Sequence, residues 1–352
     1  MRGEAIAVIG WDIGGVNVKA SWLDETGGPS CRVRVTSRPF EIWHSRDRLP
    51  QVLREAFADV SGGATPRAMA VTMSAELSDV FATKPEGVLF VLECLRACFP
   101  DLGCYALDTS GDLVPYEEAR RRPLDFAAAN WAASALWVAR KHPDCLLVDV
   151  GSTTTDILPI RDGKVRVRGR SDTARLISGE LVYTGVLRTN LAAVVRRVPV
   201  GGHPCRVASE TFAISADVHL ILGHIRPQDY TCSTPDHRPP TIESARSRLA
   251  RLVCADAAMM AVEDLDALAR HIHRQQVQEI REGIEQVMAG MPELRGSPVI
   301  AHGAGAFLAR EAALGLGLAA GGIQDGLSRE ESAALPALAV AHLLARHLRK
   351  GA

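Results

Sequence analysis

The sequence predicts an α/β protein built of two duplicated mixed-sheet lobes with a cleft between them, and three observations predict it. The chain has 352 residues, whereas single cores usually stop growing beyond ~250. Strand-like and helix-like hydrophobic periods alternate along it. One short pattern also occurs twice, as WDIGGVNVKAS from Trp11 and VDVGSTTTDIL from Val148. Asp12 and Asp149 are 149 − 12 = 137 positions apart, and so are Gly14 and Gly151, and Lys19 and Asp156. Self-similarity at a fixed offset says more about architecture than either copy alone.

The elements follow in order. AIAVIGWDIGG is a buried strand ending in a glycine turn, and VNVKASWLD is an alternating second strand closed by the turn ETGG. CRVRVTS makes a third strand. RLPQVLREAFADV has a helical period, RAMAVTM reads as a strand, PEGVLFVLECLRACF as a helix with proline at its start, and CYALD as a strand. The alanine-rich run 124–141 predicts one more helix. The pattern restarts with CLLVDVGSTTTDILPIRDGKVRVRG, two strands and an Asp-Gly turn into a third. ETFAISADVHLILG reads as a strand leading into a helix or second strand. Residues 224–244, with Pro227, Pro235, Pro239 and Pro240, predict a mobile loop. A long helix is expected from 261 to Gly290, with Leu265, Leu268, Ile272, Ile280, Ile284 and Val287 on its apolar face. SPVIAHGAGAFLAREAALG predicts strand, Gly-x-Gly turn and helix, and PALAVAHLLARHLRK a C-terminal amphipathic helix. The lobes are expected at 1–143 and 144–335, with helix 336–350 packing back on the first.

Composition narrows the partners. Lys plus Arg total 40 against 41 for Asp plus Glu, so no field gathers nucleic acid or an anionic membrane. Small molecules are the expected partners, with homo-oligomerisation left open. The eight cysteines have no CxxC pair and none of the spacings of a zinc site. No window approaches the ~18 apolar residues of a spanning helix, and the N-terminus is too short in apolar residues for a signal peptide. A cytoplasmic location with reduced thiols is the expectation.

The repeated turns carry the chemistry. Glycines let backbone N–H groups approach a phosphate, and an Asp at a strand end can hold Mg²⁺ through oxygen. Asp12 with Gly14 and Gly15, and Asp149 with Gly151, offer both features twice. Ser152, Thr153, Thr154 and Thr155 add hydroxyl and N–H donors at the second turn, and Lys19 a charge. Either copy alone would serve equally as an ordinary strand connection. HGAGAF supplies Gly303 and Gly305 before a helix, as an anion contact or as close packing. It lacks the third glycine of a dinucleotide fingerprint, and Asp325 stands in a loop-like stretch, which argues against a Rossmann oxidoreductase. Thr72, Ser74, Glu76 and Asp79 follow a strand, and Glu180, Tyr183, Thr184 and Arg188 lie in a glycine-punctuated segment. Glu76 and Glu180 are each a candidate general base, a helix cap or a solvated surface residue. His271 and His273, two apart on a helix, are expected to face solvent and to bind no metal. GSTTTD is not a Walker loop, and no GxSxG elbow occurs.

In order, DIGGVNVK, LLVDVGSTTTDILPI and VIAHGAGAFLA resemble the two phosphate signatures and the adenosine signature of the actin, sugar kinase and Hsp70 superfamily, in particular its hydantoinase and oxoprolinase branch. With VTMSAELSD and SGELVYTGVLRT they resemble the methanofuran-type synthases, tetrahydromethanopterin-linked one-carbon transfer pathway proteins. The resemblance implies a two-lobed actin-like, ribonuclease H-like ATPase fold. It implies a transferase that joins an aminomethylfuran methyl diphosphate to the phenol of a γ-glutamyl tyramine or tyrosine-type acceptor, forming an ether and releasing diphosphate. On that basis Asp12 and Asp149 organise Mg²⁺, with Asp156 either a further ligand or a residue that supports the ligands. Gly14, Gly15, Asn17 and Lys19 bind one end of the diphosphate, and Gly151, Ser152, Thr153 and Thr154 the other. Glu76, Asp79 or Glu180 takes the phenolic proton. The alternative is an ATP-dependent kinase or hydantoinase/oxoprolinase-like ATPase; a nucleotide-binding sensor without chemistry is a third reading. Asn17, where the superfamily usually has Thr or Ser, and Asp156 opposite Lys19 argue against ATP hydrolysis.

Overall fold

The computed structural model describes residues 6–25, 31–323 and 327–350. The turn expected at ETGG, beyond Glu25, and Asp325 lie outside them. Two mixed sheets form the two lobes. In the first, β1 (Ala7–Ile13) lies between β2 (Asn17–Asp24) and β4 (Ala68–Met73), flanked by β3 (Arg32–Pro39) on one side and β5 (Gly103–Leu107) and β6 (Leu113–Pro115) on the other. In the second, β7 (Cys145–Val150) lies between β8 (Thr155–Arg161) and β13 (Val299–His302). There β9 (Lys164–Val165) and β10 (Leu181–Val182) pair with β8, and β14 (Ala320–Gly322) with β13. A separate hairpin is formed by β11 (Arg197–Val200) and β12 (His203–Arg206).

The duplication extends beyond the repeated motif. β1 and β2 are antiparallel, β1 and β4 parallel; β7 and β8 are antiparallel, β7 and β13 parallel. Ser74 N donates to Ile13 O at 3.0 Å, and Gly305 N to Val150 O at 2.9 Å, so the segment after β4 in one lobe occupies the place of the Gly-x-Gly turn in the other.

Among the described residues, the α-helices of seven residues or more are α1 (Leu49–Ser61), α2 (Lys84–Cys98), α3 (Asn130–Ala139), α4 (Asp172–Ser178), α5 (Ser215–Ile221), α6 (Ile242–Arg251), α7 (Val262–Gly290), α8 (Ala306–Gly315) and α9 (Leu335–Lys350). The long helix matches its expected span, and all six of its expected core residues are buried. The run 124–141 is not one helix. A 3₁₀ turn at Pro123–Phe126 gives way to Ala128 in the left-handed region, φ 50°, before α3 begins. Nothing in an alanine-rich composition foretells that break, because alanine favours the helix it interrupts. In ETFAISADVHLILG the structure has the helix α5 and, before it, only a bridge between Asn190 and Ile214. Residues 224–244 are largely irregular, and they are fastened by a buried ion network. Arg248 Nη2 donates to Asp217 at 2.6 Å and Nη1 to Asp236 at 2.9 Å, while the Tyr230 hydroxyl donates to Asp217 at 3.1 Å.

α9 packs on β1, β2, β4 and α3, and with them fills a core that also takes in Leu147, Leu158 and Ile300 of the second sheet. The helix reaches the sheet because β1 carries Gly10 at the crossing. A Cβ there would come within 2.1 Å of Ala337 O and 2.7 Å of Ala341 N. Gly10→Ala should therefore lower the midpoint of thermal unfolding through a loss on the order of 1–3 kcal/mol; an unchanged melting curve would contradict this packing account.

Candidate active site

Two tight turns form the base of the site, and their geometry is the same. Gly14 N donates to Asn17 O at 2.9 Å, and 137 positions on Gly151 N donates to Thr154 O at 2.8 Å. Each turn closes a two-stranded ladder, which pairs Ile13 with Val18 and Val150 with Thr155. Among the described residues, the N–H groups of Gly15, Val16, Ser152 and Thr153 have no protein partner. Unpaired N–H groups on half-buried turns make an anion-binding concavity.

Behind each turn the ladder sets the acid's neighbour. Asp12 pairs across with Lys19, whose Nζ lies 3.3 Å from Asp12 Oδ2. Asp149 pairs across with Asp156, so the second hairpin sets acid against acid. Asp156 is instead neutralised by Arg175 of α4, Nη2 to Oδ1 at 2.8 Å; Arg175 itself stacks over Trp131, 4.5 Å from the ring centre. Asp156 is thus committed to an arginine, while Asp12 keeps a buried Oδ1 with no hydrogen-bond partner.

The carboxylates divide by environment. Burial raises the pKa of Asp12, against the pull of Lys19, and raises that of Asp156, against Arg175. Burial also pushes Asp149 up, but His302 and Lys19 outweigh it and hold Asp149 below the ordinary carboxylate range. His302 Nδ1 lies 3.2 Å from Asp149 Oδ1, off the hydrogen-bonding direction, and its Nε2 is 3.2 Å from Ser332 Oγ. His302 closes β13, directly before Gly303. Gly303 has φ 84°, and a Cβ there would come within 2.5 Å of Asp149 Oδ1. Its left-handed backbone and the close approach of Val150 O, at 2.4 Å from that Cβ, and of Asp149 together account for this glycine. Sequence reasoning missed His302; its place at a strand end beside the repeated Asp was the available signal.

The three candidate bases are placed differently. Glu180 is fully buried, and its two oxygens accept from Arg168 N, Gly169 N and Ser178 Oγ at 2.5–2.9 Å, so it organises its own loop. Asp79 is exposed. Glu76 is 1% exposed, and neither of its oxygens has a hydrogen-bond partner, although Lys84 Nζ stands 3.8 Å away and bridges to Asp172 of α4 at 2.5 Å. Burial raises Glu76 to about 7; its own N–H and that of Ala128 pull the other way without satisfying either oxygen. A carboxyl group with a pKa near neutrality suits proton transfer.

One further cation was visible only as part of a segment. The stretch 186–188 clasps the second turn: Val186 N donates to Gly151 O, and Leu187 N and Arg188 N donate to Ser152 O, all at 2.9–3.0 Å. Arg188 lies over the Trp43 ring at 4.4 Å, and a Cβ on Gly15 would stand 3.9 Å from that ring. A second-lobe arginine therefore sits at the first-lobe turn, and it makes no ion pair among the described residues.

The model of the hydantoinase/oxoprolinase family matches residues 67–347. The chain belongs to the hydantoinase/oxoprolinase family. This hydantoinase/oxoprolinase-family chain is also 34% identical, over 98% of its length and 99% of the relative's, to the (4-{4-[2-(gamma-L-glutamylamino)ethyl]phenoxymethyl}furan-2-yl)methanamine synthase of Methanocaldococcus jannaschii. It is 35% identical to a protein of the same name from Methanococcus vannielii over 41% of the chain and 64% of that protein. The expected resemblance to methanofuran-type synthases therefore holds. Among solved structures, nucleotide-free acetone carboxylase superposes with a TM-score of 0.54 at 11% identity, covering 96% of this chain and 70% of the other. An archaeal actin homologue aligns over 97% of the chain and all of its own, with a TM-score of 0.42 at 13% identity. The superposition on acetone carboxylase and the two mixed sheets bear out the expected two-lobed α/β fold. No helix among the described residues is long and apolar enough to cross a membrane.

Glu76 links this site to stability. Its pKa of about 7 lies above the ordinary 4.5, so the folded protein holds a proton that the unfolded chain releases. The contribution of Glu76 to stability should fall as pH rises from about 4.5 to about 7. Glu76→Gln should remove that loss, leaving the variant more stable than the parent at pH 8 by on the order of a few kcal/mol, with the gap closing toward pH 5. Paired urea titrations at the two pH values read this directly, and equal gaps would refute it.

Proposed function

We propose that this protein is a biosynthetic transferase that condenses an aminomethylfuran methyl diphosphate with the phenol of a γ-glutamyl tyramine-type acceptor, releasing diphosphate. The observation that carries the reading is the 34% identity, spanning nearly the whole of both chains, to a protein whose named product contains the furan, the phenoxymethyl ether and the γ-glutamyl tail. The cleft has the groups this chemistry needs. The carbon–oxygen bond between the furfuryl carbon and the diphosphate breaks, a bond from the phenolic oxygen to that carbon forms, and the phenolic proton goes to a base.

Each group has a task in that sequence. The unpaired N–H groups of the two turns, with Lys19 and Arg188, hold the diphosphate and receive the charge that develops as it departs. Glu76 accepts the phenolic proton; a phenol with an ordinary pKa of ~10 needs such a base near neutrality. Lys84 and Asp172 set the charge around Glu76, and the Ala128 break brings a peptide N–H beside it. The buried, unpartnered Asp12 Oδ1 and the ionised Asp149 fit an oxygen-coordinated Mg²⁺, which when bound would neutralise leaving-group charge. Asp156, paired with Arg175, is better suited to orienting the second turn than to ligation.

The alternative, an ATP-dependent kinase or hydantoinase/oxoprolinase-like ATPase, places adenosine at the Gly303–Gly305 turn. Purified protein given the furan diphosphate, the phenolic acceptor and Mg²⁺ should release diphosphate without nucleotide; turnover that requires ATP would overturn the assignment. Asp149→Asn should lower kcat by roughly 10²-fold or more with folding intact. Arg188→Ala should instead act mainly on KM for the diphosphate substrate, by about tenfold from one lost charge-assisted contact. If steady-state kinetics place the whole effect of Arg188→Ala on kcat, its role is not substrate binding.

A further inference from the structure

Three histidines that no sequence spacing connects meet behind the second turn. His219 of α5, His224 just after that helix, and His273 of α7 each offer one ring nitrogen, and the three nitrogens lie within 4.8 Å of one another. His273 was expected to face solvent, and it is buried at 7% exposure; His271, two residues away, is half-buried. The expectation that the histidines build no metal site weighed only neighbours in sequence, whereas α5 packs against α7 and brings His219 beside His273.

The partners of these rings fix which nitrogens are free. Gln276 Nε2 donates to Thr184 Oγ1 at 3.0 Å and to Gly185 O at 2.8 Å, so its Oε1 is the atom facing His219 Nε2 at 2.9 Å. His219 must donate there, which leaves Nδ1 with a lone pair. His273 Nε2 faces the Glu311 carboxylate at 2.8 Å, which leaves its Nδ1 bare, buried and without a partner. His219 Nδ1 and His224 Nδ1 are 3.3 Å apart. Two nitrogens on one tetrahedral zinc ion at ~2.0–2.1 Å are separated by roughly that distance. A histidine that gives its second nitrogen to a carboxylate or an amide carbonyl is the usual arrangement of a metal ligand.

We propose that His219, His224 and His273 form a binding site for one zinc ion, with Glu311 and Gln276 as the residues that orient His273 and His219. Three imidazoles leave a fourth position for water. The ion ties α5 and the start of the 224–244 loop to α7. Through Gln276 it also reaches Gly185, whose Cα lies against the Ser152–Thr153 backbone. It is separate from the oxygen-lined cleft, where Mg²⁺ is the fitting cation.

The test uses the full chain without an affinity tag, stripped of metal and then titrated with Zn²⁺ and, separately, with Co²⁺. Wild type should retain about one equivalent of zinc after gel filtration, melt at a higher temperature with zinc than without, and give with Co²⁺ the visible absorption of a tetrahedral nitrogen site. His224→Ala, at an exposed position where folding is least at risk, should lose the bound equivalent and the zinc-dependent rise in melting temperature. Glu311→Gln should weaken binding 10–100-fold. No retained zinc in wild type, or unchanged retention in His224→Ala, would overturn the site whatever the outcome of the diphosphate assay.

Discussion

The rest of the site depends on one constraint, the tight turn that joins two antiparallel strands directly after a buried aspartate. Because the ladder register is fixed by that turn, the residue opposite each aspartate is fixed too. A carboxylate at a buried strand end is costly unless something answers its charge. The two lobes answer it differently. In the first, Lys19 stands on the adjoining strand; in the second, Asp156 stands there, and an arginine must come from α4 to neutralise it. The same backbone geometry therefore presents two electrostatically different jaws to one cleft.

That inequality suits a reaction with one departing anion and one proton to remove. The cations Lys19 and Arg188 gather at the first turn, on strands and loops of different lobes, whereas the neutralisable carboxyl of Glu76 stands apart on the segment after β4. Lys84 and Asp172 connect the two regions, since Asp172 opens the helix that carries Arg175. In the proposed reaction a proton-accepting group and a phosphate-binding group need opposite local fields, and separating them along the cleft would let both exist within one fold.

The second lobe is elaborated where the first is spare. Between β10 and β13 it inserts a hairpin, α5, the proline-rich stretch and the long α7, and these pack into cores of their own. The buried Asp217–Arg248 pair and the histidine cluster lie in that insertion. Both lend fixed geometry to irregular backbone that a small apolar core alone would leave loose.

The sequence by itself determined the hairpins, the long helix and the repeat at 137 positions, because each rests on local period and turn chemistry. It also named Asp12, Asp149, Lys19 and the turn glycines, since a duplicated turn marks its own key positions. Which glutamate is orphaned and which is consumed by its loop, the commitment of Asp156 to Arg175, the pairing of His302 with Asp149, the arginine resting on Trp43, and the meeting of His219, His224 and His273 were decided only by tertiary structure. Each of these depends on burial or on contact between segments far apart in the chain, and one-dimensional periodicity holds no record of either. Even the break at Ala128 belongs to that class: a residue that prefers a helix is held out of one where Phe126 and Ala127 pack into the first lobe's core.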